Sequence, residues 1–473
     1  MTGPDTPLFA RREDGGMTIF GIFCFVMCCM LGSLAFDVAQ LMAARTQLQA
    51  AADAAAHAAI YYRGEALSAE EAREKAIAVA RTNMPQSTYG DVLRPENILF
   101  GRWNATTNAF EVDPTDAVSE AVFVRTDRLS ENGNSVGALL MQFVGITEFD
   151  VVTASVFEGY VHECHKEGFV AQGIVDVQSN NSYLNGFCVY SAAHVELNQN
   201  NYFEDGTVVA MPDKDDVVLP RSGYEKNVGL ADALTSSVVS TRILARLDEI
   251  YENFDNPNSR HYRDYITNFV PKRITGKKPT AADFEPGRVH ELWCGAGAWL
   301  DGAPLTDVRT VAQKDGSGTT GGGTTGGGTT VSDPGKATLP GETLRKIVLI
   351  TDCQIKFTAG AALEDVMILN FNGSATSFSA PSGLRLGLDD GCDEDGGAQL
   401  VTWGGVDVAA GLEMYGSQII AAGDIEFAAN ADGIQGAAMV AGGRIDGTSN
   451  MTFGYCGTGM DDNFDALSFR MRG

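Results

Sequence analysis

The segment VDVQSNNSY, residues Val175–Tyr183, recurs twenty residues later as VELNQNNYF, residues Val195–Phe203. A second pair has the same offset, because IEFAAN from Ile425 aligns with IDGTSN from Ile445. Short alternating strands, corners of asparagine and glycine, and a fixed period are typical of a parallel β-helix. Each coil would bury its inward apolar side chains on its neighbours. We therefore predict a mainly β domain, a parallel β-helix (solenoid), with a β-sandwich as the alternative.

The stretch between these repeats does not follow the period. Residues 212–345 are predicted to be an insertion, because residues 228–254 show helical spacing of apolar side chains and residues 316–330 form a flexible Gly/Thr linker. The predicted helix would lie on the solenoid or cap it. The first part of the solenoid then spans residues 161–211, and the second part spans residues 346–473.

An apolar run near the N-terminus predicts a membrane anchor. Residues 17–36 carry no charge, and twenty such residues are just enough to cross about 30 Å of hydrocarbon as a helix. Arg11 and Arg12 precede the run, which favours a cytoplasmic N-terminus. We predict a cytoplasmic segment at 1–16, a single transmembrane helix at 17–42 in the inner (cytoplasmic) membrane, and the bulk of the chain in the periplasm. A cleaved signal peptide is the alternative, but the run exceeds the usual core of about 7–15 residues.

The helix is expected to continue beyond the membrane, since residues 41–60 are strong helix formers without Gly or Pro. Ser68 and Glu71 form a capping-box pattern that begins a second helix, which should end near Asn83. Alternating residues then predict four strands, with a short apolar helix before the last of them. The strands are expected at 97–103, 109–112, 121–125 and 150–157, and the short helix at 134–144. These elements predict a helical stalk and a small α+β head over residues 43–160.

Three ordered blocks of sequence carry a family resemblance. The first contains Arg11, Arg12, Gly15, Gly16 and Asp37, followed by Arg-x-x-Leu-Gln-x-Ala-Ala-Asp-Ala-Ala-Ala from Arg45. The other two blocks are residues 98–110 and 143–155. Over about residues 11–160 the chain resembles the TadG-like (TadE/TadG) proteins, which serve the assembly of the tight-adherence (Flp-type) pilus of bacteria.

The resemblance implies a family motif, partners and a location in the cell envelope. The motif residues are Asp37, Arg45, Leu48, Gln49 and Asp53. The implied partners are pilus-assembly machine proteins, the pilus and the inner membrane. Two features differ from the family pattern. The chain contains no metal-binding Asp-x-Ser-x-Ser of a von Willebrand A-type domain, and the fifth residue after Gly16 is Gly21 where the pilins of these systems have Glu.

The nine cysteines fall into two groups. Three lie in the apolar run, and six lie beyond it. The six candidate disulfide cysteines are Cys164, Cys188, Cys294, Cys353, Cys392 and Cys456. An even, scattered set beyond a membrane segment fits an oxidising compartment, although six cysteines allow 15 pairings and unpaired buried thiols are the alternative.

Two clusters contain residue types that bind metals. His162, Cys164 and His165 are the densest group of nitrogen and sulfur ligands, but a zinc site needs about four ligands and no fourth is evident. A Cys164–Cys188 disulfide between neighbouring coils is the preferred interpretation. Residues 389–396 contain five acids, yet their spacing differs from the helix-loop-helix calcium pattern, so a solvated acidic turn is preferred. We predict no metal and no cofactor.

Acidic residues outnumber basic ones by 61 to 34, which gives a net charge of −27 and argues against a nucleic-acid-binding protein. The chain contains no Gly-x-Ser-x-Gly elbow and no Gly-x-x-x-x-Gly-Lys phosphate loop, and His194 fits a structural role in its strand-like context. The family resemblance implies an envelope component of the pilus assembly/secretion system, and we predict a scaffold or adhesion role without catalysis. The alternatives are a surface enzyme that acts on polysaccharide and a surface adhesin.

Overall fold

The computed structural model describes residues 14–64, 67–116, 118, 120–160, 163–184, 186–257, 259, 261–295, 335–391, 393, 395–458, 460, 463–464 and 468–472. It divides into two compact units. The head unit comprises Met1–Tyr160 and Phe469–Gly473, and the β unit comprises Val161–Ser468. The head unit is therefore built from two separate stretches of chain, and the β unit lies between them in sequence.

Two long helices begin the head unit. Helix α1 (Asp14–Gly64) runs for 51 residues without interruption, as the strong helix formers after the apolar run predict. Helix α2 (Ala69–Asn83) begins with the predicted capping box, in which the Glu71 amide donates to Ser68 Oγ and the Ser68 amide donates to Glu71 Oε2. It ends at Asn83 as predicted. One further turn, α3 (Gln86–Tyr89), follows.

A five-stranded sheet completes the head unit. With strands numbered in chain order, the sheet contains β1 (Ile98–Asn104), β2 (Ala109–Val112), β3 (Ala121–Arg128), β6 (Val151–Tyr160) and β29 (Ser468–Met471), in the order β2-β1-β3-β6-β29. The first four are antiparallel neighbours and correspond to the four predicted strands. The fifth comes from the far end of the chain, inside the 346–473 region that the sequence analysis assigns to the solenoid.

The predicted helix over residues 134–144 is not formed. The stretch holds β4 (Val136–Gly137), which pairs with β5 (Glu148–Phe149), and one 3-10 turn at Met141–Val144. The Asn134 side chain accepts a hydrogen bond from the Leu129 amide at 2.8 Å. This asparagine therefore closes the turn after β3 instead of starting a helix.

The core of the head unit combines small residues on helices with large residues on the sheet. Ala55, Ala56 and Ala59 of α1 are fully buried against alanines of α2. Phe100 on β1 is fully buried and fills the space beneath the helices. Alanine at the contacts allows close approach of the two helix backbones, so the interface tolerates little increase in side-chain volume.

Within its described residues, the β unit contains a 22-stranded sheet and three short α-helices. The strands are β7 (Gly168–Ala171), β8 (Val175–Val177), β9 (Ser182–Tyr183), β10 (Cys188–Ser191), β11 (Val195–Leu197), β12 (Asn201–Phe203), β13 (Val208–Met211), β14 (Asn227–Val228), β15 (Leu234–Ser236), β16 (Asn268–Arg273), β17 (Arg288–Leu292), β18 (Lys336–Leu339), β19 (Thr343–Thr351), β20 (Gln354–Phe357), β21 (Ala362–Asn370), β22 (Phe378–Ala380), β23 (Arg385–Leu386), β24 (Ala398–Thr402), β25 (Val406–Ala421), β26 (Ile425–Ala441), β27 (Ile445–Gly447) and β28 (Thr452–Gly454). The helices are α4 (Glu163–Lys166), α5 (Leu230–Ala233) and α6 (Leu247–Asn253).

The strands of this large sheet pair in parallel at the predicted offset. Val175 pairs with Val195, and Tyr183 pairs with Phe203, so the first repeat is in register at 20 residues. Ile425 pairs with Ile445 in the same way. A β-sandwich, the alternative prediction, would instead require antiparallel strands. The rings of Tyr183 and Phe203 stack with centroids 4.7 Å apart.

The pairing order of the strands differs from their order in the chain. Strands β7, β8 and β9, the first of the unit, pair with β26, β27 and β28, the last. From β7 the pairing continues through β10 and β13 to β15. From β26 it runs back through β25, β24, β21 and β19 to β17. The chain thus enters and leaves the sheet at adjacent strands.

One group of parallel strands is buried on both faces. In β19 and β21, Leu349 and Ile368 face one apolar core, while Val348 and Met367 face another. Double burial explains why these strands are continuous apolar runs instead of alternating ones. Residues 239–266 cover the second face, with Ile250 among the side chains packed there.

The single helix predicted over residues 228–254 is replaced by several short elements. Strand β15 pairs with β13, and only Arg242–Arg246 (3-10) and α6 are helical near the end of the stretch. Residues 236–240, Ser-Ser-Val-Val-Ser, are serines and β-branched valines of lower helix propensity, so the stretch divides into two elements. The predicted packing role is met by α6, since Leu247 and Ile250 contact the outer face of the sheet. The predicted linker at 316–330 lies outside the described residues.

Candidate functional site

The first half of α1 is apolar and uncovered. It contains an 18-residue window of mean hydropathy 2.4, and no residue of that window is buried. Large side chains such as Ile19, Phe20 and Phe25 are each more than 60% exposed. A helix of this length and composition is able to cross a membrane. The helix belongs to the head unit and continues directly into the family-motif residues.

Asp37 stands at the point where the apolar run ends. Its side chain is 1% exposed and accepts hydrogen bonds from the backbone amides of Leu139 at 2.8 Å, Leu140 at 2.9 Å and Met141 at 2.5 Å. These amides lie just before and at the start of the 3-10 turn Met141–Val144, where backbone amides lack partners within the turn. The carboxylate therefore fixes the loop between β4 and β5 to α1.

Leu48 and Gln49 attach the next two turns of α1 to the sheet. Leu48 is fully buried, and its carbonyl accepts a hydrogen bond from Thr126 Oγ1 at 3.0 Å. Gln49 Nε2 donates to Ala154 O on β6 at 3.0 Å and to Asp53 Oδ1 at 2.8 Å. Asp53 thus orients the amide that contacts β6.

Arg45, the remaining motif residue, is exposed on α1. The structure therefore brings four motif residues together at the contact between α1 and the rest of the head unit and leaves the fifth on the surface. The four provide positioning: a buried carboxylate, an oriented amide and an apolar contact hold the helix in one rotation against the sheet.

The structure describes both partners of two disulfides in the β unit. Cys164 is bonded to Cys188, which is the preferred pairing of the sequence analysis, and Cys294 is bonded to Cys353. Cys456 is also disulfide-bonded, and Cys392 lies outside the described residues. Cys24 and Cys28 of the apolar run are free thiols. The alternative of six unpaired thiols is therefore wrong.

The residues of the two metal-like clusters have other roles where the structure describes them. Cys164 is oxidised, and His165 Nε2 lies 2.5 Å from the carbonyl of Ser240. His162 is outside the described residues. In the acidic segment, the Asp393 amide donates to Asp390 Oδ1 at 3.1 Å, a local turn contact. Among the described residues, no three His, Cys, Asp or Glu side chains converge as metal ligands.

The β unit also carries a row of carboxylates that the sequence analysis does not single out. We call it the acidic row. Strand pairing places its members in register, in the order Asp407, Glu426, Asp446, Asp176 and Glu196. The central acid of each short strand, as in VDV, VEL, IEF and IDG, is the signal that marks the row. One row of the sheet thus concentrates part of the large negative charge.

Two basic side chains contact the acidic row. Arg444 Nη2 lies 3.0 Å from Asp176 Oδ2 and 2.9 Å from Asp446 Oδ2. His194 Nε2 lies 2.9 Å from Glu196 Oε1, so His194 has the structural contact predicted for it. Burial and the neighbouring carboxylates of Asp446 and Glu196 raise the pKa of Asp176, and Arg444 opposes them.

A comparison with protein families covers both units. Residues 168–300 and 327–457 match the family model described as "Domain of unknown function (DUF7867)". Together these segments are more than half of the chain. The chain belongs to the DUF7867 family. The DUF7867 match includes most of the predicted insertion at 212–345, which agrees with the pairing of β14 to β18 within the large sheet.

A second family model covers the membrane helix and the family motif. Residues 15–74 match the model described as "Putative Flp pilus-assembly TadE/G-like". The TadE/TadG resemblance is thereby confirmed over this segment, and it associates this DUF7867 protein with Flp pilus assembly. No curated protein and no solved structure matched the chain.

Proposed function

We propose that the protein is a membrane-anchored component of the envelope machinery that assembles a tight-adherence (Flp-type) pilus, with a scaffold or adhesion role and without catalysis. The observation that carries this proposal is the TadE/G-like match over residues 15–74, which includes the apolar half of α1 and all five motif residues. In the proposed arrangement α1 is a single-pass anchor of the inner membrane, with its N-terminus in the cytoplasm. The rest of the chain lies in the periplasm, where its disulfides are stable.

We further propose that the DUF7867 region is a parallel β-helix with coils of about 20 residues. The register of Val175 with Val195 and of Ile425 with Ile445 supports this. Stacked aromatic rings at equivalent positions, Tyr183 against Phe203 and Phe453, also support it. Such a structure would give the machinery a rigid surface outside the membrane, with pilus-assembly proteins and the pilus as its partners.

The test is complementation of a clean deletion strain, scored by pilus number and by surface attachment. A truncation after residue 165 would remove β29 from the head sheet, so the head-only version should instead join residue 160 to residue 468 through a short Gly/Ser linker. If the deletion abolishes pili and the head-only version restores them, the head unit carries the assembly role. Unchanged pilus number in the deletion strain would refute that role. Pili that persist without attachment would assign the working surface to the β unit.

A point variant tests whether the docked helix matters. Asp37→Asn retains the shape of the side chain but removes the charge that accepts three backbone amides, so we expect fewer pili at equal protein level. Glu74→Gln, an exposed acid on α2, is the matched control and should have no effect. Equal pilus numbers for both variants would contradict a functional role of the Asp37 contact.

A further inference from the structure

A groove of about 370 Å³ with polar and apolar lining residues opens on the β unit, at the Asp407 end of the acidic row. Four strands line it with outward-facing side chains: Lys336 on β18, Lys356 on β20, Ser379 on β22 and Asp407 on β25. The register places Lys356, Ser379 and Asp407 side by side along successive strands. Small-ligand sites commonly have volumes from about 300 Å³ upward.

The two lysines of this groove differ from their surroundings in charge. The chain carries a net charge of −27, yet within the described part of the chain neither Lys336 nor Lys356 has a carboxylate within ion-pairing distance. By contrast, Lys272 contacts Glu285 at 2.8 Å. Lys336 and Lys356 lie on adjacent strands two positions apart, close enough for both ammonium groups to reach one anion. The two lysines thus make one end of the groove positive, while Asp407 of the acidic row lies at the other end.

The other groove residues suit a sugar more than a simple anion. Gln354 is held by Thr376, since its Nε2 donates to the Thr376 carbonyl at 3.0 Å, so this polar wall is ordered. Asp407 would repel phosphate or sulfate but accepts hydrogen bonds from hydroxyl groups. Ala380, Pro381 and Ala409 add a small apolar surface for the C–H face of a ring. Lys356 and Asp407 are two strands apart, roughly 10 Å, so the ligand has separate anionic and hydroxyl-bearing parts.

We propose that this groove binds an acidic saccharide, with its carboxylate at Lys336 and Lys356 and its hydroxyl groups at Ser379 and Asp407. The proposal goes beyond the assembly role, because it concerns the β unit alone and does not depend on a pilus partner.

The test is calorimetric titration of the full chain in detergent micelles. The probe is trigalacturonate, and its fully methyl-esterified form is the uncharged control. We expect saturable binding of the acid and at least about tenfold weaker binding of the ester, because the ester lacks the charge that the lysines recognise. Equal binding of the two forms, or no saturable binding of the acid, would overturn the proposal.

Variants separate the groove from general charge effects. Lys336→Gln with Lys356→Gln should weaken binding of trigalacturonate by at least about tenfold. Lys214→Gln with Lys226→Gln removes the same charge from exposed positions outside the groove and should change the affinity less than about twofold. Ala409→Trp, which fills the groove without changing charge, should also abolish binding. Equal losses in the two double variants would indicate non-specific attraction and refute the site.

Competition by inorganic phosphate distinguishes a sugar site from an anion site. Phosphate at the same concentration should displace little trigalacturonate, since Asp407 opposes it. Complete displacement would overturn the assignment to a saccharide. Normal pili in the Lys336→Gln, Lys356→Gln strain would leave the assembly proposal intact, so the two proposals fail independently.

Discussion

The head unit and the β unit reach stability in different ways. The head unit packs alanines of two helices against each other, and few of its contacts repeat. The β unit repeats one parallel register many times and fills its interior with large apolar side chains such as Phe169 and Phe453. The stability of the head unit therefore depends on the narrow space between its helices, where larger side chains do not fit. The stability of the β unit depends on how completely large side chains fill its interior.

The largest effect is expected where the first and last strands of the β unit meet. Phe169 is 1% exposed and its ring lies 5.0 Å from that of Phe453 across this junction. Phe169→Ala should lower the free energy of unfolding by about 4 kcal/mol, because the site cannot collapse around the cavity. Urea unfolding would measure this loss of stability. The control is Tyr202→Ala, because the Tyr202 side chain is 45% exposed. A loss as small as that of the control would show that the junction is not tightly packed.

The head unit should respond to the opposite change. Ala56 of α1 is fully buried between helix and sheet. Ala56→Leu should cost about 2–3 kcal/mol, because the larger side chain forces the helices apart. Ala50→Leu, at an exposed position of the same helix, is the matched control and should be neutral. If Ala56→Leu were tolerated equally well, the contrast between the two units would disappear.

A buried histidine gives the β unit a pH dependence. Burial, with the nearby Lys272, lowers the pKa of His290 to about 4, while its Nε2 accepts a hydrogen bond from the Glu285 amide. The unfolded chain takes up this proton near pH 6.5, so this contribution to stability is complete above pH 6.5 and is lost as pH falls towards 4. We expect this contribution to the free energy of unfolding to be roughly 2 kcal/mol. It is smaller than the whole pKa shift would give, because solvent screens part of the charge.

The measurement for His290 is urea unfolding between pH 4 and pH 7. His290→Gln removes the titrating group and should flatten the curve in this window. His194→Gln, at the partly exposed contact with Glu196, is the control for losing a histidine. A wild-type curve that is already flat between these pH values would contradict the prediction.

Two aligned glutamines provide the smallest and most selective test. Gln418 donates to the Phe464 carbonyl and accepts from the Phe464 amide, both at 2.7 Å. Gln399, its neighbour in register, is fully buried and its amide group has no partner in the described structure. Gln418→Met should lower the free energy of unfolding by about 2 kcal/mol, because it leaves the Phe464 backbone groups without partners. Gln399→Met should raise it by about 1 kcal/mol, because it removes a buried amide group that makes no hydrogen bond. Thermal unfolding would show opposite shifts, and shifts of the same sign would refute this assignment.

Local features of both units could be predicted from the sequence. The capping box at Ser68, the four antiparallel strands and the 20-residue register depend on neighbouring residues or on a short repeat. The positioning role of Asp37 could not be predicted, since its partners at 139–141 are about a hundred residues away. The family motif identified the residue but not its contacts.

The order of the strands could not be predicted either. The parallel strands present similar apolar patterns to their neighbours, so the pattern does not choose between partners. The pairing of Phe169 with Met439 joins residues 270 positions apart. The same limit applies to β29, whose four residues carry too little pattern to assign them to the head sheet. The central acids of the short strands mark the members of the acidic row, but the order of the row could not be predicted, because it depends on how distant strands are aligned.

The adjacency of the entry and exit strands in the β unit has an evolutionary consequence. A stack in chain order would place its two ends roughly 40 Å apart, too far to be joined to neighbouring strands of another sheet. With β7 beside β26, a gene segment encoding the whole stack can be inserted between two strands of a host domain without separating them. Strands can then be gained or lost at the far ends of the sheet while the entry and exit strands stay unchanged. The length of the large sheet and the identity of the anchor are free to evolve separately.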